Sequence, residues 1–129
     1  MSFVLDVRRW RVKTERQLLL VIRKVALEIF RRVVMRTPVD TGRARGNWQV
    51  EIGTPRGGVI DRFDPNGQRT LFDAESLIAQ WQGDAAIFLF NNLPYILRLE
   101  DGWSGQAPNG MVRLVLEEFP GIVEQEARS

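Results

Sequence analysis

A stripe of apolar residues at helical spacing ends abruptly at Pro38, and that stop constrains the chain more than any other feature. Leu18, Ile22, Val25, Ile29 and Val33 recur every three or four residues, with Leu19, Ala26 and Phe30 on the flank; this is the pattern of an amphipathic helix that buries one wide face. Pro38 has no amide to donate and pushes Thr37 out of helical geometry, so the helix predicted from about Trp10 ends near Arg36. At about 1.5 Å per residue, roughly 26 residues make a rod about 39 Å long. Asp40, Thr41 and Gly42 then offer a turn, with short side chains that bond nearby amides and a glycine free to take positive φ. Trp48, Val50 and Ile52 come next, alternating with polar neighbours as in a half-buried strand.

Beyond that strand, Gly53-Thr54-Pro55-Arg56-Gly57-Gly58 and Asp64-Pro65-Asn66-Gly67 are turn formers, and they predict an exposed loop over 54–69. Leu71, Ala74, Leu77, Ile78 and Trp81 predict a helix over 71–82, with Gly83 at its C-terminus. The unbroken apolar run Ala86 to Phe90 reads as the central, most buried strand. Asn91 and Asn92 close that strand and can cap a short helix lined by Tyr95, Ile96 and Leu99, with Pro94 preset for its first turn. Gly102 stops it, and 102–110 is a loop whose Trp103 and Pro108 are expected to fold back onto the core.

Met111, Val112, Val115, Leu116 and Phe119 fit a final helix, with Arg113 and Glu117 as a surface pair; the alternation of Val112, Leu114 and Leu116 fits a strand, and the helix is preferred. Pro120-Gly121 is expected to break it and leave 120–129 as an acidic tail. Residues 1–9 read as an arm in which Phe3, Leu5 and Val7 alternate. The expected fold is a single α+β domain: a long N-terminal helix packed on a small, mainly antiparallel sheet, with two or three shorter helices.

Charge is unevenly spread. Residues 1–45 hold twelve cations and four carboxylates, a net of +8, while the rest holds six cations and twelve carboxylates, a net of −6. Such a dipolar molecule attracts a copy of itself, or neighbours of opposite charge, within a Debye length of about 8 Å. Sixteen of the eighteen cations are arginine, whose planar fork suits fixed pairing with carboxylates or phosphates. Arg31, Arg32 and Arg36 are the candidates for a charged interface. The apolar run Leu18 to Ile22 is far too short to cross a bilayer, and the N-terminus lacks the features of a signal peptide. The expectation is a soluble protein made in a cytoplasm, with no membrane partner.

No constellation of residues points to catalysis. The chain has no histidine and no cysteine, which removes the usual general base and the commonest metal ligands. Asp40-Thr41-Gly42 has the letters of the aspartic-protease triplet. That triplet follows a buried apolar strand, whereas here Thr37-Pro38-Val39 leads in and Arg43 comes after. Asp64 with Glu75 loosely mimics a calcium loop, but Arg69 stands where glycine is required and Pro65 stiffens the second position. The Glu100-Asp101 and Glu117-Glu118 pairs read as surface acids. No glycine-rich phosphate loop or nucleophile elbow is present. The expectation is no enzyme, no cofactor and no metal. An arginine-rich nucleic-acid-binding protein is the alternative, since arginines could neutralise phosphates and Trp10 or Trp48 could stack on bases.

A helix ending in Thr37-Pro38-Val39-Asp40-Thr41-Gly42-Arg43, with a strand bearing Trp48 shortly after it, resembles the neck and tail-completion proteins of long-tailed phages, the group that includes lambda minor tail protein Z. Asn91-Asn92-Leu93-Pro94-Tyr95, Leu99 to Ser104 and Gln106 to Val112 carry the resemblance further, in the family's order. It covers roughly residues 10 to 119. The matching positions are Thr37, Pro38, Asp40, Thr41, Gly42, Arg43 and Trp48 in the first motif. In the second they are Asn92, Pro94, Tyr95, Glu100, Gly102, Ser104, Gln106, Pro108, Gly110 and Met111. The resemblance implies structural turns and ring contacts rather than a catalytic site. It also implies a virion protein of the tail–neck region, assembled in the host cytoplasm into a ring around the DNA channel, of roughly six subunits by analogy with tail tubes. Its neighbours would be a tail terminator or tail tube protein and a head-closure or connector protein, with genome DNA in the lumen. Loop 54–69 inherits no role.

Overall fold

A computed structural model describes residues 2–4 and 15–128. In chain order they form β1 (Ser2–Val4), α1 (Glu15–Arg36), α2 (Arg43–Gly46), β2 (Trp48–Ile52), α3 (Gln68–Ile78), β3 (Ile87–Asn91), α4 (Ile96–Glu100) and α5 (Val112–Arg128). The fold is α+β, with a long N-terminal helix, a small antiparallel sheet and shorter helices. Helix α1 ends at Arg36, as Pro38 requires; Trp10 and the residues up to 14 lie outside the described residues, as do Leu5 and Val7 of the expected arm.

The sheet order is β1-β3-β2, both pairings antiparallel, so the continuous apolar run does occupy the centre. Trp48 faces Asn91, Val50 faces Leu89 and Ile52 faces Ile87. Side chains opposite one another share a face, and on this face Trp48, Val50, Ile87 and Leu89 join Ile22, Val25, Ile29, Phe30 and Val33 of α1 in one core. The alternation expected for β2 is incomplete, because Gln49 is buried too; it pairs with Phe90 on the other face.

Helix α1 packs on both α5 and α3, and α3 lies against β2. The α1–α5 seam carries charge as well as apolar area. Arg36 grips the Glu118 carboxylate with both terminal nitrogens, and Arg32 reaches it at 3.2 Å. Glu28 takes Arg31 and, at 2.8 Å, Arg32. The three arginines expected to reach a neighbouring subunit are therefore held inside their own chain, and reversing them would disturb the subunit itself.

Their partners respond electrostatically. Hydrogen bonding from Arg36 holds the Glu118 carboxyl below its ordinary range, and Arg31, helped by Arg32, does the same for Glu28 against the opposing cost of burial. A carboxylate with a depressed folded pKa stabilises the fold above its unfolded pKa and loses that contribution as pH falls through the lower, folded value. Glu118 is 35% exposed, so solvent screening limits the seam to about 1 kcal/mol. The urea midpoint is expected to drop as pH is lowered from about 6 to about 3, and Glu118→Gln should reduce that drop. An unchanged pH dependence in the variant would remove Glu118 from the account.

Three expectations about the C-terminal part are corrected. Pro120 lies inside α5, which runs on to Arg128, so 120–128 is helix rather than a loose tail. A proline within a helix costs about 3 kcal/mol, but here the ring is exposed, and so is Leu116, whose carbonyl loses its partner. Ile122 beyond it is fully buried and Val123 packs on the core, which offsets the loss at about 1.5–3 kcal/mol for a fully buried side chain. Trp103 and Pro108 do not fold inward. Trp103 is 72% exposed, and Ala107 and Met111 fill the core instead. Arg113 turns away from Glu117 and donates to the Glu100 carbonyl at 3.2 Å, with Asp101 3.9 Å away.

Helix α3 starts at Gln68, three residues before the expected 71, and ends at Ile78 rather than 82. The early start is due to Asp64, whose Oδ2 accepts both the Thr70 amide and the Thr70 hydroxyl at 2.7 Å. Loop 54–69 is exposed over most of its length, in its second half as well as its first. Asp64 and Gly67 are buried.

Candidate functional site

The two motif stretches, distant in sequence, meet at one junction. The first is built on the end of α1. The Thr37 hydroxyl donates to the Val33 carbonyl at 2.7 Å and accepts the Trp48 indole N–H at 2.8 Å, so Trp48 closes the helix end from inside the core. Arg45 finishes it from outside, donating to the carbonyls of Met35, Thr37 and Pro65 at 2.7–2.9 Å. A cation is favourable at a helix C-terminus, where unpaired carbonyls gather. Pro38 is buried, Asp40 and Thr41 are exposed, and Gly42 adopts φ 88°. The Gly42 carbonyl accepts the amides of Gly46 and Asp64 at 2.9 and 3.0 Å. A Cβ at Gly42 would stand on the Pro65 ring. Loop 54–69, which inherits no role from the resemblance, is thus the floor on which the first motif rests.

The second motif is organised by Glu100. Its Oε1 accepts the amides of Met111 and Val112 at 3.0 and 2.9 Å, and its Oε2 accepts that of Arg113 at 3.0 Å. One carboxylate thereby serves amides that a helix start leaves unpaired and places negative charge at the positive end of α5. Gly102 and Gly110 allow the intervening loop to close on itself. Both have φ above 80°, and a Cβ on either would strike a carbonyl oxygen, that of Pro108 or of Glu100. Within the loop, Ser104 Oγ accepts the Gln106 amide at 3.2 Å, and Met111 is fully buried.

Gln106 joins the halves. Its Oε1 accepts the Val39 amide at 2.9 Å, and its Nε2 donates to the Val39 carbonyl at 3.0 Å. A side-chain amide here pairs with backbone as a strand would. The junction leaves a cleft of about 220 Å³ between the loops, lined by Pro38, Asp40, Arg43, Tyr95, Leu99 and Ser104 among others. No protein-family model, curated protein or solved structure matches the chain.

Not every motif residue is drawn to the junction. Asn92 points to loop 54–69, donating to the carbonyls of Arg56 and Gly58 at 2.9 Å. Pro94 is exposed in the turn ahead of α4, and that helix has no side-chain cap, so Asn92 does not cap it. Asn91 is the last residue of β3. It binds the Ala44 carbonyl at 3.0 Å and, through Oδ1, the Leu93 amide at 3.1 Å. Sequence reasoning missed Arg45, Asn47 and Asp64. Asn47 spans the Arg43 carbonyl and the Ile60 amide. Their polar side chains flanking a glycine-marked turn were the available signal. Among the described residues, no cluster of acidic side chains is arranged to hold a metal, and no helix is long and apolar enough to cross a membrane.

Proposed function

We propose that this chain is a structural virion protein that completes the top of the tail or the neck of a long-tailed phage and mediates head–tail joining as a ring around the DNA channel. The observation that carries the reading is the Gln106–Val39 tie, which fixes the two motif stretches as one surface. Around it, Glu100, Arg45 and Thr37 hold backbone in place, and the outcome is shape rather than reactivity. A part that works by docking needs this rigidity, because loops ordered before contact lose less entropy on assembly. Apolar area at the seams between subunits would supply most of the affinity, and charge would choose partner and orientation.

The nucleic-acid alternative is weakened by where the arginines go. Phosphate binding calls for a continuous exposed cationic stripe. Here Arg31, Arg32 and Arg36 end on Glu28 and Glu118, and Arg23, Arg45 and Arg62 end on backbone carbonyls. Electron microscopy of particles assembled without this protein tests the proposal. Headless tails beside filled, tailless heads are expected. Normal particles at normal yield would overturn it.

A further inference from the structure

The cleft between the motif loops contains three polar groups that the chain leaves unmatched. Among the described residues, the Asp40 carboxylate, the Arg43 guanidinium and the Tyr95 hydroxyl have no side-chain hydrogen bond or ion pair, although all three line the same 220 Å³ space. Elsewhere in the molecule Arg23, Arg31, Arg32, Arg36, Arg45 and Arg62 all have partners within the chain. Pro38 and Leu99 give the cleft an apolar wall. It presents a negative group, a positive group and apolar surface in a small space, and asks for an occupant with the reverse arrangement.

The outer face of α5 has that arrangement. Arg113, Leu116 and Glu117 are exposed there, and residues three and four apart on a helix are neighbours about 5–6 Å apart. Leu116 is 58% exposed, a large apolar side chain between two charges. The Glu117 carboxylate has no cationic partner among the described residues, because Arg113 is turned toward Glu100 and Asp101.

We propose that the cleft receives α5 of a second copy of this chain, Glu117 pairing with Arg43, Leu116 packing on Leu99 and Tyr95, and Arg113 exchanging its 3.9 Å contact with Asp101 for one with Asp40. This rests on the proposed ring and deepens it by naming the contact between subunits. Cleft and helix face are different surfaces, so the contact is head-to-tail, the kind that closes into a ring when the rotation between copies permits. Arginine suits the role, since its fork takes a carboxylate in a fixed orientation.

A charge swap tests it. The full-length protein, Arg43→Glu, Glu117→Arg and the double variant would be compared by light scattering and native mass spectrometry over a range of concentrations, with near-ultraviolet circular dichroism as the control for folding. The wild type is expected to assemble, each single variant to need at least about tenfold more protein to do so, and the double variant to recover. Leu116→Asp, outside the charge pair, should also weaken assembly. Single variants that assemble as the wild type does would overturn the proposed contact and leave the ring standing. Variants that assemble normally but fail to join heads to tails would assign the cleft to a different ring protein, also against the proposal. A wild type that stays monomeric at every concentration would remove the contact and the ring together.

Discussion

Trp48→Ala is expected to cost about 4 kcal/mol, within the roughly 3–5 kcal/mol seen when a large aromatic is removed from a core. Trp48 is fully buried, and its ring lies where the sheet, the end of α1 and the first motif come together. The same side chain carries the N–H that the Thr37 hydroxyl accepts, so truncation both opens a cavity and strips the helix end of its inner support. A domain of this size has only about 5–15 kcal/mol to lose. Two companion variants separate the effects. Trp48→Phe keeps most of the packing and removes the donor. Thr37→Val keeps the packing and leaves the indole N–H buried without an acceptor, at about 1–3 kcal/mol. Urea unfolding monitored by circular dichroism reads all three. If Trp48→Ala lost less than Thr37→Val, the packing role given to Trp48 would be wrong.

The parts of the fold that were legible in the sequence are those whose cause is local. Pro38 ends α1 because of its own ring. The run Ile87 to Phe90 becomes the central strand because only a strand covered on both faces tolerates continuous apolar character. What could not be read locally depends on partners brought in by the fold. Pro120 would break α5 in an isolated peptide, but in the folded chain Ile122 behind it finds the core. Trp103 reads as an inward residue because tryptophan is mostly buried. Instead it sits beneath Arg98, whose guanidinium carbon is 5.1 Å from the ring centroid, an exposed cation–π contact.

The charge asymmetry of the sequence is real, and its reading changes once the partners are known. Basic first third and acidic remainder do meet, but at Arg32, Arg36 and Glu118 they meet between α1 and α5 of one subunit. Attraction between halves of a chain is satisfied within the chain when the fold brings them together, and only the leftovers face outward. That is why Arg43, Asp40 and Glu117, rather than the densest run of arginines, define the proposed contact. The junction itself was half legible. The motif residues were identifiable from their turn chemistry, while the Gln106–Val39 bond spans 67 positions and has no local signature.

Glu100→Ala is expected to cost about 3 kcal/mol, since a helix cap contributes about 0.5–2 kcal/mol and hydrogen bonds to a charged acceptor about 1.5–3 kcal/mol each. The sequence holds a clue to this role. Gly110 and Met111 precede α5, and neither has a side chain able to accept its first amides, so the cap must come from elsewhere in the chain. Glu100 supplies it from the end of α4, and the connection closes the loop that carries Gln106. Glu100→Gln retains one acceptor oxygen but turns an NH2 toward the amides, so it should fall between wild type and alanine. Hydrogen exchange at Met111, Val112 and Arg113 is expected to quicken in both variants. Because Gln106 loses its fixed approach when the loop opens, exchange at the Val39 amide should quicken as well, although Val39 lies nowhere near Glu100 in sequence. If the amides of α5 quickened and Val39 did not, the helix cap would stand and the coupling of the two motif loops would fall. The surface proposed for docking would then be two independent loops, too loosely held to orient a neighbouring subunit.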